Sequence, residues 1–276
     1  LLKLSGKEMI FTTAKCVLRG FTLALIISTL YPFLVKAQPS KVINQTVNFV
    51  PPVPSRGQPS GRRQGGSSRG DCPAPAGNQP LTAIVPVTTM HLNRKPGTNP
   101  ALGTWDAVWG LTASASPTFL FYFPYSLTPK LPALFILQDE QGNNIYQTSL
   151  TASNTYPSIA KVRLPATTLL QVSKMYHWYF VVDCHPDAPP QVDGWVQRTP
   201  LTPSLSTQLQ MVSPSQRVAL YAANGIWYDA LTSLAQLRSA NPKDALLLRD
   251  WVNLLHSVGL EELASEPISQ CCSRKN

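Results

Sequence analysis

The chain has 276 residues, 43% of them hydrophobic and 13% charged, with a formal net charge of +9. That length suffices for one large domain or two ordinary ones, and so low a charged fraction argues against a disordered chain or a coiled coil. The basic excess is local: residues 1–37 carry a net +4, residues 38–70 a net +5, and the remainder is balanced at 13 bases against 13 acids, which excludes a basic nucleic-acid surface on the folded body.

Met9 reads as a start with residues 1–8 as an upstream extension. Lys15 and Arg19 then form a positive region ahead of an apolar run from Gly20 to Val35, and Val35-Lys36-Ala37 fits a signal-peptidase site. The run contains Pro32 and is too short to span a bilayer. The expectation is a secreted or periplasmic protein cleaved after Ala37, touching the membrane only during export. Residues 38–80 are dense in Pro and Gly and read as a solvated linker, because Pro blocks ladder hydrogen bonds and Gly raises backbone entropy. Its arginines have Phe49 alone among aromatics, so bases would find no stacking platform.

Export leaves Cys72, Cys184, Cys271 and Cys272 in an oxidising compartment, where an even number suggests disulfides. Adjacent Cα atoms lie only about 3.8 Å apart, which disfavours a Cys271–Cys272 bridge. The two remaining pairings both tie the C-terminal tail to Cys72 and Cys184. A zinc site at Cys184 and His185 lacks any Cys-x-x-Cys spacing and is set aside.

From residue 81 to 200 the pattern is one of short apolar runs between turn residues. Phe119, Phe121, Phe123 and Tyr125 share one strand face, and Ala133–Leu137 and Ile145-Tyr146 flank an acidic, Asn/Gly-rich turn that reads as a hairpin. Residues Tyr176–Val182 alternate, and a last strand runs from Val192 to Arg198. The fold expected is an antiparallel β-sandwich, Ig-like or jelly-roll-like. Residues 201–270 switch to the helical period. There Ala222, Gly225, Ala230, Leu234, Leu237 and Pro242 fall at the offsets of a tetratricopeptide-like hairpin, with a further helix from Asp244 to His256.

Chemistry is thinly signalled. Nucleophile elbows, zinc-protease motifs, phosphate loops and dinucleotide fingerprints are all missing from the sequence, so no catalytic, cofactor or metal residue is assigned. Asp183-Cys184-His185 reads as a bridged cysteine followed by a turn histidine. Asp139, Glu140 and Asn143 read as turn residues ahead of a calcium site. Tyr221, Trp227 and Trp251, at helical spacing, are the candidate protein-contact surface, and Trp105 and Trp195 the candidate sugar-stacking pair.

Several segments together resemble one family. They are Arg69-Gly70-Asp71-Cys72-Pro73, Pro117-Thr118-Phe119 with Phe121-Tyr122 and Pro124-Tyr125, Leu137-Gln138-Asp139-Glu140, Gly194-Trp195-Val196-Gln197-Arg198, Gly225-Ile226-Trp227-Tyr228-Asp229-Ala230, Asp250-Trp251 with Leu254-Leu255, and Val258-Gly259-Leu260. Over roughly residues 56–272 the chain is similar to the cyanobacterial family called domain of unknown function 928. That resemblance implies an exported protein and supplies no catalytic residues. The expected role is a non-enzymatic envelope module that meets another envelope or secreted protein. The alternatives are a carbohydrate-binding module that meets a polysaccharide or, further off, a hydrolase.

Overall fold

A computed structural model describes residues 46–53, 59–66, 72–91, 104–125, 131–151, 157–269 and 273–274. All of them belong to one unit, Asn44–Asn276. The segment expected to direct export, Cys271 and Cys272 lie outside the described residues.

Among the described residues, nine strands precede four helices. The strands are β1 (Thr82–Ala83), β2 (Val87–His91), β3 (Thr104–Thr112), β4 (Thr118–Phe123), β5 (Ala133–Gln138), β6 (Asn144–Thr151), β7 (Ser158–Arg163), β8 (Met175–Val182) and β9 (Gln191–Arg198). The helices are α1 (Pro203–Met211), α2 (Pro214–Ala223), α3 (Trp227–Ala240) and α4 (Ala245–His256), and a short β10 (Ser273–Arg274) follows. A seven-stranded sheet has the order β10-β6-β5-β8-β9-β3-β2 and a three-stranded sheet the order β1-β4-β7. The expected β plus α fold is present. It departs from an all-antiparallel sandwich at one pair, since β3 and β9 run parallel from Trp109 opposite Trp195 to Thr112 opposite Arg198.

The alternation in β8 buries Tyr176, Trp178, Phe180 and Val182 on one face, as β5 buries Ala133, Phe135 and Leu137. The small sheet packs there through β4, with Phe121 stacked on Phe180 at 4.2 Å and Phe119 against Phe135 at 5.0 Å. All six β4 residues are buried, because both of its faces are covered. Three of the four helices begin at side-chain caps, Thr202 for α1, Ser213 for α2 and Asp244 for α4, each satisfying a free N–H of the first turn. Pro242 follows the end of α3, where it can no longer break a helical bond. Leu247, Trp251, Leu254 and Leu255 point into the same core that holds Phe119 and Trp178, so strands and helices share one interior.

Two expectations are corrected. Parts of the 38–80 segment are built into the fold. Pro59 C=O accepts from Val108 N at 3.0 Å, Arg62 and Asp193 exchange backbone bonds of 3.0 and 2.9 Å, and Gly65 N donates to Leu81 O at 2.7 Å. Residues 59–65 thus enter beside β3 and β9 where those strands part, and continue to β1. Two of the glycines that suggested a linker serve close approach: a Cβ on Gly61 would sit 2.6 Å from Asp193 O, and one on Gly65 would sit 3.1 Å from Leu81 Cβ. Upstream, Val47 and Phe49 are buried, with Phe49 edge-on to Trp227 at 4.8 Å. The second correction concerns the cysteines. Cys72 is bridged to Cys184, with Cα atoms 5.2 Å apart, and neither is bridged to the tail. Excluding a Cys271–Cys272 bond assigned the tail to Cys72 and Cys184 only on the premise that all four cysteines pair within the chain.

Candidate functional site

The face of the seven-stranded sheet turned away from β4 is set by the other half of the same alternation. Across it lie Leu134 and Ile136 of β5, His177, Tyr179 and Val181 of β8, and Asp193 and Trp195 of β9, all half-buried. Cross-strand register places His177 opposite Trp195 and Tyr179 opposite Asp193. From this pairing comes a hydrogen-bonded chain. His177 Nε2 lies 2.9 Å from Asp193 Oδ2 and His177 Nδ1 lies 2.9 Å from Tyr179 Oη. A carboxylate only accepts, so Nε2 carries the proton, and in the neutral ring Nδ1 accepts from the Tyr179 hydroxyl. The imidazole stacks on Trp195 at 4.2 Å and 11°, while the indole N–H donates to Ser60 O at 3.0 Å. Burial, reinforced by the charge of Asp193, raises the Tyr179 phenol above its ordinary range. The Tyr179 phenol is therefore a hydroxyl held in place by its hydrogen bond to His177.

Trp195 thus belongs to this cluster, with one ring face covered by His177. Trp105 is not brought to it. It lies opposite Met90, four positions along β3 from the residue in register with Trp195, and Ser60 bridges to Ala107 in between. No single stacking strip joins the two tryptophans. The helical candidates are corrected more sharply. Trp227 and Trp251 have no exposed surface, and Tyr221 is half-buried against the core. Trp227 Nε1 donates to Ile84 O at 3.0 Å, and the Arg238 guanidinium lies 5.1 Å from the Trp251 ring centre. The tetratricopeptide-like pair covers its apolar side with its own sandwich. Cys184 is bridged, and His185 Nδ1 accepts from Asp187 N and Ala188 N at 3.2 Å, as a turn histidine should. The Asp139 carboxylate accepts from Gln141 N and Asn143 N at 2.9 Å, which accounts for it as a turn residue.

The segment Trp227-Tyr228-Asp229 at the start of α3 pins that helix to the strands. Tyr228 Oη accepts from Trp178 Nε1 at 2.9 Å and donates to Trp195 O at 3.2 Å. Burial keeps this phenol protonated far above its usual range. Asp229 Oδ2 accepts from Thr112 Oγ1 at 2.7 Å and Ala113 N at 2.9 Å. Burial raises its carboxyl from the ordinary 3.8, and those hydrogen bonds oppose the shift without cancelling it. Below the ordinary aspartate range both folded and unfolded chains are protonated. Above it the unfolded chain loses its proton first, so stability falls as pH rises to the folded pKa and then levels. Unfolding midpoints measured from about pH 4 to 8 should show this decline in the wild type and a flatter curve in Asp229→Asn. An identical slope in both would assign the decline to other groups.

The molecule is a mixed β-sandwich with a helical layer sharing its core, and it carries an aromatic, hydrogen-bonded cluster on the open sheet face. The chain belongs to the family described as Domain of Unknown Function (DUF928), whose model matches residues 64–268. No curated protein matches it. Among the described residues no helix is long and apolar enough to cross a membrane, and no group of His, Cys, Asp and Glu could hold a metal ion.

Proposed function

We propose that this chain is an exported, non-enzymatic recognition module of the cell envelope, and that it meets another envelope or secreted protein through the open face of the seven-stranded sheet. The carrying observation is the Asp193–His177–Tyr179 chain with Trp195 stacked on it. It is a set of rigid rings and oriented polar groups, half-exposed on regular strands, of the kind that anchors interfaces. The non-enzymatic part is supported by how the buried polar groups of α3 are used: the Asp229 carboxylate is taken up by Thr112 and Ala113, and the Tyr228 hydroxyl by Trp178 and Trp195. The Cys72–Cys184 bridge fits an oxidising compartment, as does the apolar run before Ala37.

The test is co-sedimentation of the purified chain with isolated envelope fragments. Ile136→Ser combined with Tyr179→Ser should weaken it about tenfold, whereas Met211→Ser, at an 82% exposed site on α1, should leave it unchanged. Equal sedimentation of all three proteins, or none by the wild type, would reject the reading.

A further inference from the structure

A cavity of about 400 Å³ lies where the β5–β6 turn faces the loop before β8. Its size is within the range that holds small ligands, about 300–1,000 Å³. The charged groups on its wall are already engaged. Glu140 accepts from Met175 N at 3.1 Å and pairs with Lys174 Nζ at 3.3 Å, and the Asp139 carboxylate is held by its own turn. Four uncharged side chains on the same wall, Gln141, Thr167, Thr168 and Gln171, have no hydrogen-bond partner among the described residues. They offer two amides and two hydroxyls, each both donor and acceptor. Beside them stand two exposed apolar side chains, Leu169 at 60% and Ile145 at 37% exposure.

The loop is held firmly. Ser173 adopts φ +63°, a left-handed conformation that a non-glycine residue takes only at an energetic cost. Its N–H donates to Arg198 O at 2.7 Å, which ties the Gln171–Lys174 turn to β9. Met175 and Tyr176 both line the cavity, so it lies at the start of β8, two residues along the strand from His177.

From the paired charges, the free amides and hydroxyls and the apolar rim, we infer that this cavity binds one residue of a neutral saccharide. A pyranose presents a ring of hydroxyls, each donor and acceptor, and a C–H face. The free groups here match the first, and Leu169 with Ile145 matches the second. A negatively charged sugar would meet two carboxylates, Asp139 and Glu140, against the one ammonium of Lys174, a wall that repels it. This inference rests on the recognition-module reading and places its ligand beside the sheet cluster, away from Trp105 and clear of the covered face of Trp195.

The experiment is calorimetric titration of the full chain with hexamers of glucose, mannose and N-acetylglucosamine, and with a galacturonic acid hexamer as the charged control. One neutral hexamer should bind. Thr167→Ala combined with Gln171→Ala should weaken that binding about tenfold or more by removing hydrogen-bonding groups, with the melting temperature unchanged since both side chains are exposed. Undiminished binding by the double variant, or tighter binding of the charged hexamer, would overturn the inference. Absence of neutral-hexamer binding with envelope co-sedimentation intact would overturn the saccharide and leave the module reading standing. Loss of both would remove both.

Discussion

Replacing Trp227 with alanine should lower unfolding stability by about 3–5 kcal/mol, the range for deleting a large buried aromatic ring. Its side chain has no exposed surface, its indole N–H is the donor to Ile84 O, and Phe49 packs edge-on against it. Alanine therefore opens a cavity and also leaves a buried carbonyl without its partner. The effect should spread, because the same turn of α3 carries Tyr228 and Asp229, whose hydrogen bonds hold Trp178, Trp195 and Thr112. The fit is close: a Cβ at Gly110 would lie 3.2 Å from Trp227 Cβ. Denaturant unfolding of Trp227→Ala beside Trp195→Ala provides the check. The half-exposed Trp195 should cost clearly less, and a loss below about 1 kcal/mol at Trp227 would mean that α3 docks by other contacts.

That prediction reverses the role first expected of Trp227, and the reason is physical. A 3.6-residue period shows which side chains share a helix face, as Trp251, Leu254 and Leu255 share the buried face of α4. The period does not show whether the face meets a partner or the chain's own sheet. Strand alternation was equally legible in β8 and in the hairpin of β5 and β6, because each has one buried side. Residues 59–65 gave no such signal. They join the sheets through isolated bridges, with Pro59 contributing only its carbonyl and Gly61 its lack of a side chain, so composition reads them as unstructured. The open-face cluster was half legible. His177 and Tyr179 fell on one side of the alternating run, and Trp195 stood out as an aromatic. Asp193 joins them only through the register between β8 and β9, a non-local pairing that no local pattern specifies.

Removing the Cys72–Cys184 bridge should cost about 2–4 kcal/mol, at the upper end of that range because the closed loop is long. The bonded cysteines are 112 residues apart, so the unfolded chain gains much freedom when the bond is cut. The native state has reason to keep its geometry. Cys184 follows β8 with Asp183 N donating to Pro132 O at 3.0 Å, and past Cys72 the chain is held by Ala76 N donating to Pro124 O at 2.8 Å. Reduced wild type and Cys184→Ser should therefore share one lowered unfolding midpoint, and a non-reducing peptide map of the wild type should recover Cys72 joined to Cys184. A midpoint unmoved by reductant would mean that the bridge constrains nothing the folded chain does not already fix. A map joining either cysteine to the tail would restore the pairing first expected from sequence. The expected loss is a large share of the about 5–15 kcal/mol that domains generally have. The yield of folded chain made under oxidising and under reducing conditions therefore reports which compartment this fold is built for.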